Sequence, residues 1–135
     1  MSKKIDVACI IDDDNIYINL VKRIIESKHL CKNLLIFENG KNALNFFEAI
    51  LNNPKKENIP EIIFLDLNMP VMDGWEFLAN FIQIKNDFGK AITLYIVSSS
   101  INPLDIKKAK SIRDVKDYLV KPVTIQELES IFSMS

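Results

Sequence analysis

Three consecutive aspartates, Asp12-Asp13-Asp14, close one apolar run, and a single aspartate, Asp66, closes another, Ile62-Ile63-Phe64-Leu65. Further along, Ser98 follows the apolar stretch that ends at Val97, and Lys121-Pro122 follows a short run that ends at Val120. Each polar group stands where a greasy segment stops. An isolated carboxylate is costly in an apolar interior, so Asp66 must sit at the mouth of its strand, with partners. If Asp12, Asp13 and Asp66 share one crevice, they repel, and at least one pKa should rise. A hard divalent cation relieves that repulsion. Few protein oxygens and no imidazole suit magnesium, which keeps several waters. Lys121 adds a point charge on a long stem, and Ser98 adds a hydroxyl. A carboxylate nucleophile, a magnesium ion, a lysine and a hydroxyl form a set for phosphoryl transfer onto aspartate, with Asp66 attacking in line.

The elements that must position these groups follow from periodicity. Ile5 to Ile11 reads as a buried strand with Asp6 as its exception. Asp14 or Asn15 then caps a helix carrying Ile16, Tyr17, Leu20, Val21, Ile24 and Ile25. Leu34 to Phe37 is a second strand, broken by Asn39-Gly40, and Ala43, Leu44, Phe47, Ile50 and Leu51 mark a second helix. The polar, proline-bounded stretch 52–60 is a surface loop. The run 62–65 is a third strand, Pro70 and Gly74 flank a turn, and Phe77, Leu78, Phe81 and Ile82 mark a third helix. Ala91 to Val97 is a fourth strand. Asn102-Pro103 starts a lysine-rich helix. Val115 to Val120 is a fifth strand, and Thr124-Ile125-Gln126-Glu127 matches a capping box for a final helix that presents Ile125, Leu128, Ile131 and Phe132 to the core.

Strict alternation of strands and helices implies a parallel sheet with helices on both faces. Such sheets bind ligands beyond the carboxyl ends of their strands. If the strand order is 2-1-3-4-5, the first and third strands are neighbours and the three aspartates meet. Ser98 and Lys121 then stand at the ends of the fourth and fifth strands.

The chain has 135 residues, which fits one domain spanning 1–135. A formal net charge of −1 argues against nucleic acid as a direct partner, since phosphate binding needs a basic surface. Met1-Ser2-Lys3-Lys4 leads into one short apolar run broken at Asp12, which is neither a signal peptide nor a membrane span. The chain reads as cytoplasmic, with no membrane partner, and Cys9 as a small core residue.

The motifs Ile10-Ile11-Asp12-Asp13-Asp14, Leu65-Asp66-Leu67-Asn68-Met69-Pro70-Val71-Met72-Asp73-Gly74, Val97-Ser98-Ser99 and Tyr118-Leu119-Val120-Lys121-Pro122 occur in this order. Together they resemble the receiver domain of two-component response regulators, over essentially the whole chain. The resemblance implies a doubly wound (βα)5 flavodoxin-like fold of order 2-1-3-4-5. It implies that Asp66 accepts a phosphoryl group from a histidine kinase or histidine phosphotransfer protein. Asp13, Asp66 and the backbone carbonyl of Asn68 would ligate magnesium, with Asp12 acting through a metal-bound water. Lys121, placed by a cis bond before Pro122, would contact the phosphoryl group. Ser98 would move toward it, Tyr118 would turn inward in step, and the surface of the fourth helix, fifth strand and fifth helix would change for an unidentified downstream protein.

This resemblance makes the chain a switch and not a turnover enzyme, a monomer or weak dimer, and a stand-alone receiver without an output domain. The departures are mild. Serine replaces the commoner threonine at 98, Ser99 is larger than the usual residue, the 52–60 loop is long, and Asp117 adds negative charge. Asn68 and Ser100 are candidates for guarding the attacking water.

Two rival readings are weighed. A haloacid-dehalogenase-like phosphatase also uses an aspartate and magnesium. It needs a second aspartate as general acid two residues on, where this chain has Asn68. A degenerate receiver acting as a scaffold is opposed by the intact set Asp12, Asp13, Asp66, Ser98 and Lys121. Single residues also have plainer readings. Asp12 to Asp14 could only favour a helix N-terminus, although three acids exceed what capping needs. Tyr118 could be core packing alone. Trp75 lies off its helix's apolar stripe and should be partly exposed, and His29 reads as a surface residue.

Overall fold

A computed structural model describes residues 5–52 and 59–133. Five strands alternate with five helices: β1 Ile5–Ile11, α1 Asn15–Ser27, β2 Cys31–Phe37, α2 Gly40–Asn52, β3 Ile62–Leu65, α3 Gly74–Ile84, β4 Thr93–Ser98, α4 Pro103–Ser111, β5 Val115–Val120 and α5 Ile125–Ser133. A short 3-10 turn, Lys85–Phe88, extends α3. The strands form one sheet in the order β2-β1-β3-β4-β5, and every pairing is parallel. The parallel sheet is the one expected from the alternation, and its order is that of the doubly wound flavodoxin-like fold that the resemblance implies.

The central strand shows why it is central. All four residues of β3 are buried, and they alternate between two cores. Ile63 and Leu65 join the core under α2, α3 and α4, while Ile62 and Phe64 join the core under α1 and α5. A strand covered on both faces must be apolar throughout. Phe47 anchors the first core. It is fully buried and lies 5.0 Å from the Phe81 ring and 5.7 Å from Phe88, centroid to centroid.

Local chemistry sets the helix starts. Asp14 caps α1 by accepting from the Ile16 and Tyr17 N–H groups. Asn102 caps α4 ahead of Pro103. Thr124 and Glu127 exchange hydrogen bonds at 3.0 Å each, the expected capping box of α5. Asp73 and Glu76 form a second such box on α3. Among the described residues, no helix is long and apolar enough to cross a membrane.

Several expectations need correction. Of the apolar positions named on α1, Val21 and Ile25 are buried, together with Ile18, whereas Ile16 and Leu20 are 84% and 51% exposed. Ile125 is 42% exposed at the first position of α5, a turn too early to reach the sheet. β2 begins at Cys31 rather than Leu34, since its polar residues pair along an edge strand that one neighbour covers. β4 begins at Thr93, not Ala91. Residues 53–58 of the expected loop lie outside the described residues, but Ile59 is fully buried and belongs to the core beneath α2 and α3.

Candidate functional site

Backbone hydrogen bonds carry the sheet one residue past its strands. The Asp12 N–H donates to the Phe37 carbonyl, the Asp66 N–H to the Ile11 carbonyl and the Lys121 N–H to the Ser98 carbonyl, each at 2.9 Å. These bonds seat Asp12, Asp66 and Lys121 at the carboxyl end of the sheet. Carboxylate oxygens of Asp12, Asp13 and Asp66 all lie within 4.8 Å of one another. Asp12 and Asp66 are 2% and 6% exposed, whereas Asp13 is exposed. The cluster is therefore closed beneath and open on the Asp13 side.

Each buried carboxylate divides its oxygens between backbone and lysine. Asp12 Oδ1 accepts from the Asp14 N–H and Asp66 Oδ1 from the Leu67 N–H, both at 2.9 Å. Lys121 Nζ lies 2.8 Å from Asp12 Oδ2 and 3.6 Å from Asp66 Oδ2. The Lys121–Pro122 peptide is cis. Burial, and then the charge of Asp12, push the Asp66 carboxyl up to about 6, against the opposing pull of Lys121. The expected rise thus falls on Asp66, with burial as its larger cause. Burial works against the Lys121 ammonium, but the hydrogen bond and charge of Asp12, with Asp66 and Asp14, outweigh it and raise its pKa.

The donor set fits a hard divalent cation. It is all oxygen, it reaches solvent at Asp13, and its three carboxylates face a single lysine ammonium, which leaves negative charge for a dication to neutralise. Asn68 is exposed in the loop after Asp66. That loop is pinned by Gly74, whose N–H donates to the Leu67 carbonyl at 2.9 Å. A Cβ at Gly74 would collide with the Asp66 carbonyl oxygen and stand 2.8 Å from Leu67 Cα, so only glycine admits α3 this close. Between Pro70 and Gly74, the Met72 N–H donates to the Pro70 carbonyl at 2.7 Å. This closes a three-residue turn on Val71, whose φ is +68°.

Ser100 joins Ser98 to Tyr118. Ser98 is fully buried, and its Oγ accepts from the Ser100 N–H at 3.1 Å. The Ser100 hydroxyl donates to Asp105 Oδ2 at 2.9 Å. The Tyr118 hydroxyl donates to the Ser100 carbonyl at 2.8 Å, with Tyr118 already inward and 9% exposed. The sequence offers Ser100 only as a guard for water. Its place as a junction depends on a contact with Tyr118, 18 positions away, that no local signal announces. A second missed contact is the Tyr17 ring, which lies 4.6 Å from Lys121 Nζ. Trp75 is half-buried beneath Lys108, whose Nζ is 4.3 Å from its ring, and His29 is exposed.

A family model for the response regulator receiver domain matches residues 8–133. The probable methanogenesis regulatory protein FilR2 of Methanothrix harundinacea is 27% identical over 124 residues, covering 91% of this chain and 76% of the relative. Response regulator Rcp1 of Synechocystis is 28% identical over 125 residues, covering 90% of this chain and 80% of Rcp1. The crystal structure of a manganese-bound form of Rcp1 superposes with a TM-score of 0.73 at 25% identity, covering 96% of this chain and 90% of that one. A two-component response regulator from Cytophaga hutchinsonii superposes with a TM-score of 0.84 at 30% identity, covering 98% of this chain and 97% of that one.

Proposed function

The chain belongs to the response regulator receiver domain family, and on that premise we propose that it is a phosphoacceptor switch in which Asp66 takes a phosphoryl group from a histidine kinase or a histidine phosphotransfer protein. The observation that carries this reading is the buried Asp66 carboxylate, held between Asp12, Asp13 and Lys121 at the carboxyl end of β3. An Asp66 oxygen attacks phosphorus in line. An O–P bond forms as the P–N bond of the donor phosphohistidine breaks, and the imidazole leaves with the electron pair. Asp12, Asp13 and Asp66, with the Asn68 backbone carbonyl, would hold a magnesium ion, which supplies neutralising charge to the transferring oxygens.

Lys121 offers the same group its ammonium. Ser98 turns its hydroxyl toward a phosphoryl oxygen, which withdraws the acceptor now serving the Ser100 N–H. Because Ser100 also holds Tyr118 and Asp105, that movement reaches α4 and β5. There the new surface is read by a downstream protein. Ile16 and Leu20, exposed on the first turns of α1 beside the acidic cluster, offer a donor protein an apolar surface next to the phosphoacceptor.

The test is labelling with acetyl phosphate or beryllofluoride in the presence of magnesium, read by intact mass or NMR. The wild type should be modified and Asp66→Asn should not. Equal labelling of both would refute the assignment. No label on either would favour a receiver that serves only as a scaffold.

A further inference from the structure

The Lys121 ammonium lies 2.8 Å from Asp12, 3.6 Å from Asp66 and 4.6 Å from the centroid of the Tyr17 ring. The first two belong to the carboxylate cluster, and phosphoryl transfer onto Asp66 would change the charge around both. Two carboxylates at 2.8 and 3.6 Å do not by themselves fix one conformation of a lysine on a flexible four-carbon stem. The aromatic face is a partner of another kind. Its attraction for a cation comes from the ring quadrupole and does not depend on whether Asp66 is modified.

Tyr17 is itself firmly placed. Its N–H donates to the capping oxygen of Asp14 at 3.1 Å, and its side chain packs against the core under α1 and α5. Burial foremost, and then the charge of Asp12, raise the phenol's pKa, with a backbone hydrogen bond from Val123 acting the other way. The ring is therefore a neutral partner at any working pH. It also ties the start of α1 to the segment after β5, the two chain segments that carry Asp12 and Lys121.

We propose that Tyr17 is a positioning residue for phosphoryl transfer, its ring face holding the Lys121 ammonium over the site where the phosphoryl group arrives. The proposal rests on the phosphoacceptor reading of Asp66. Its test compares Tyr17→Phe with Tyr17→Leu in the full chain. One readout is the rate of labelling by acetyl phosphate with magnesium. The other is the NMR shift of the Lys121 ε-methylene, which a ring face displaces upfield. Tyr17→Leu should be labelled about 3- to 30-fold more slowly and lose the upfield displacement. Tyr17→Phe should keep the displacement and stay within about twofold of the wild-type rate.

A wild-type rate in Tyr17→Leu would overturn the proposal. So would a Tyr17→Phe protein as slow as Tyr17→Leu, which would assign the effect to the hydroxyl and Val123. Should Tyr17→Leu fail to fold, Tyr17→Met is read by the same two outcomes. If the wild type takes no label, the phosphoacceptor reading falls. The ε-methylene shift of Lys121 then still decides whether the ring holds the ammonium.

Discussion

Lys121 stands closer to Asp12 than to the proposed phosphoacceptor: its Nζ is 2.8 Å from Asp12 Oδ2 and 3.6 Å from Asp66 Oδ2. One ammonium thus compensates two buried carboxylates, and it lies nearer to Asp12 than to the proposed phosphoacceptor. Removing that charge leaves both carboxylates facing each other in a poorly solvated site. Lys121→Met should therefore lower the metal-free protein's stability near pH 7 by about 3 kcal/mol or more. Magnesium should restore part of the loss, and labelling by acetyl phosphate should slow at least roughly tenfold. Denaturant melts with EDTA or with magnesium check the stability; a midpoint that does not move refutes it.

Asp66 makes the opposite prediction. Its folded pKa is raised from 3.8 to about 6, so between those values the folded protein holds a proton that the unfolded chain has released. Stability of the metal-free protein then falls as pH rises through that window, and the deficit persists above it. Asp66→Asn removes the titration. It should stabilise the metal-free protein near pH 7 by up to about 2 kcal/mol and flatten the decline between about pH 4 and 6. Calorimetry in EDTA across that range decides; a lower Tm for Asp66→Asn at neutral pH would contradict it.

Divalent metal should act on the same charges. Magnesium in excess of its Kd should raise Tm, by about 2.7 kcal/mol of stability at a hundredfold excess. Asp13→Asn should need a higher magnesium concentration for the same gain, since the exposed Asp13 completes the cluster. Thermal melts over a magnesium titration give the comparison, and identical curves for the two proteins would count against Asp13 as a ligand.

Val71 turns the loop after Asp66 with φ at +68° while 79% exposed. A β-branched residue there is strained and gains little from packing. Val71→Gly should raise stability by roughly 0.5–1 kcal/mol and leave labelling of Asp66 unchanged. Loss of stability in a urea melt would show that the valine contributes a contact worth more than its strain.

Phe47 is fully buried and touches the rings of Phe46, Phe77, Phe81 and Phe88. Phe47→Ala should cost about 3–5 kcal/mol. A loss under about 1 kcal/mol in equilibrium unfolding would mean that the core beneath α2 and α3 collapses readily around the gap.

The sequence by itself determined the alternation of strands and helices and the polar residue that ends each strand. Both are local properties: apolar runs must be buried, and a charge at the end of a run must leave the interior. Capping at Asn102 and Thr124 was legible for the same reason, since donor and acceptor lie within three residues. The family motifs named Asp12, Asp13, Asp66, Ser98 and Lys121 by type and order. Tertiary structure alone decided how these groups share their charges. That Lys121 pairs with Asp12, that Ser100 joins Ser98 to Tyr118, and that the Tyr17 ring faces Lys121 all depend on which strand ends stand side by side. Tertiary packing also chose which stripe of α1 is buried, leaving Ile16 and Leu20 in solvent. Periodicity finds an apolar face, but where two stripes overlap on one helix, only the sheet it packs against selects between them.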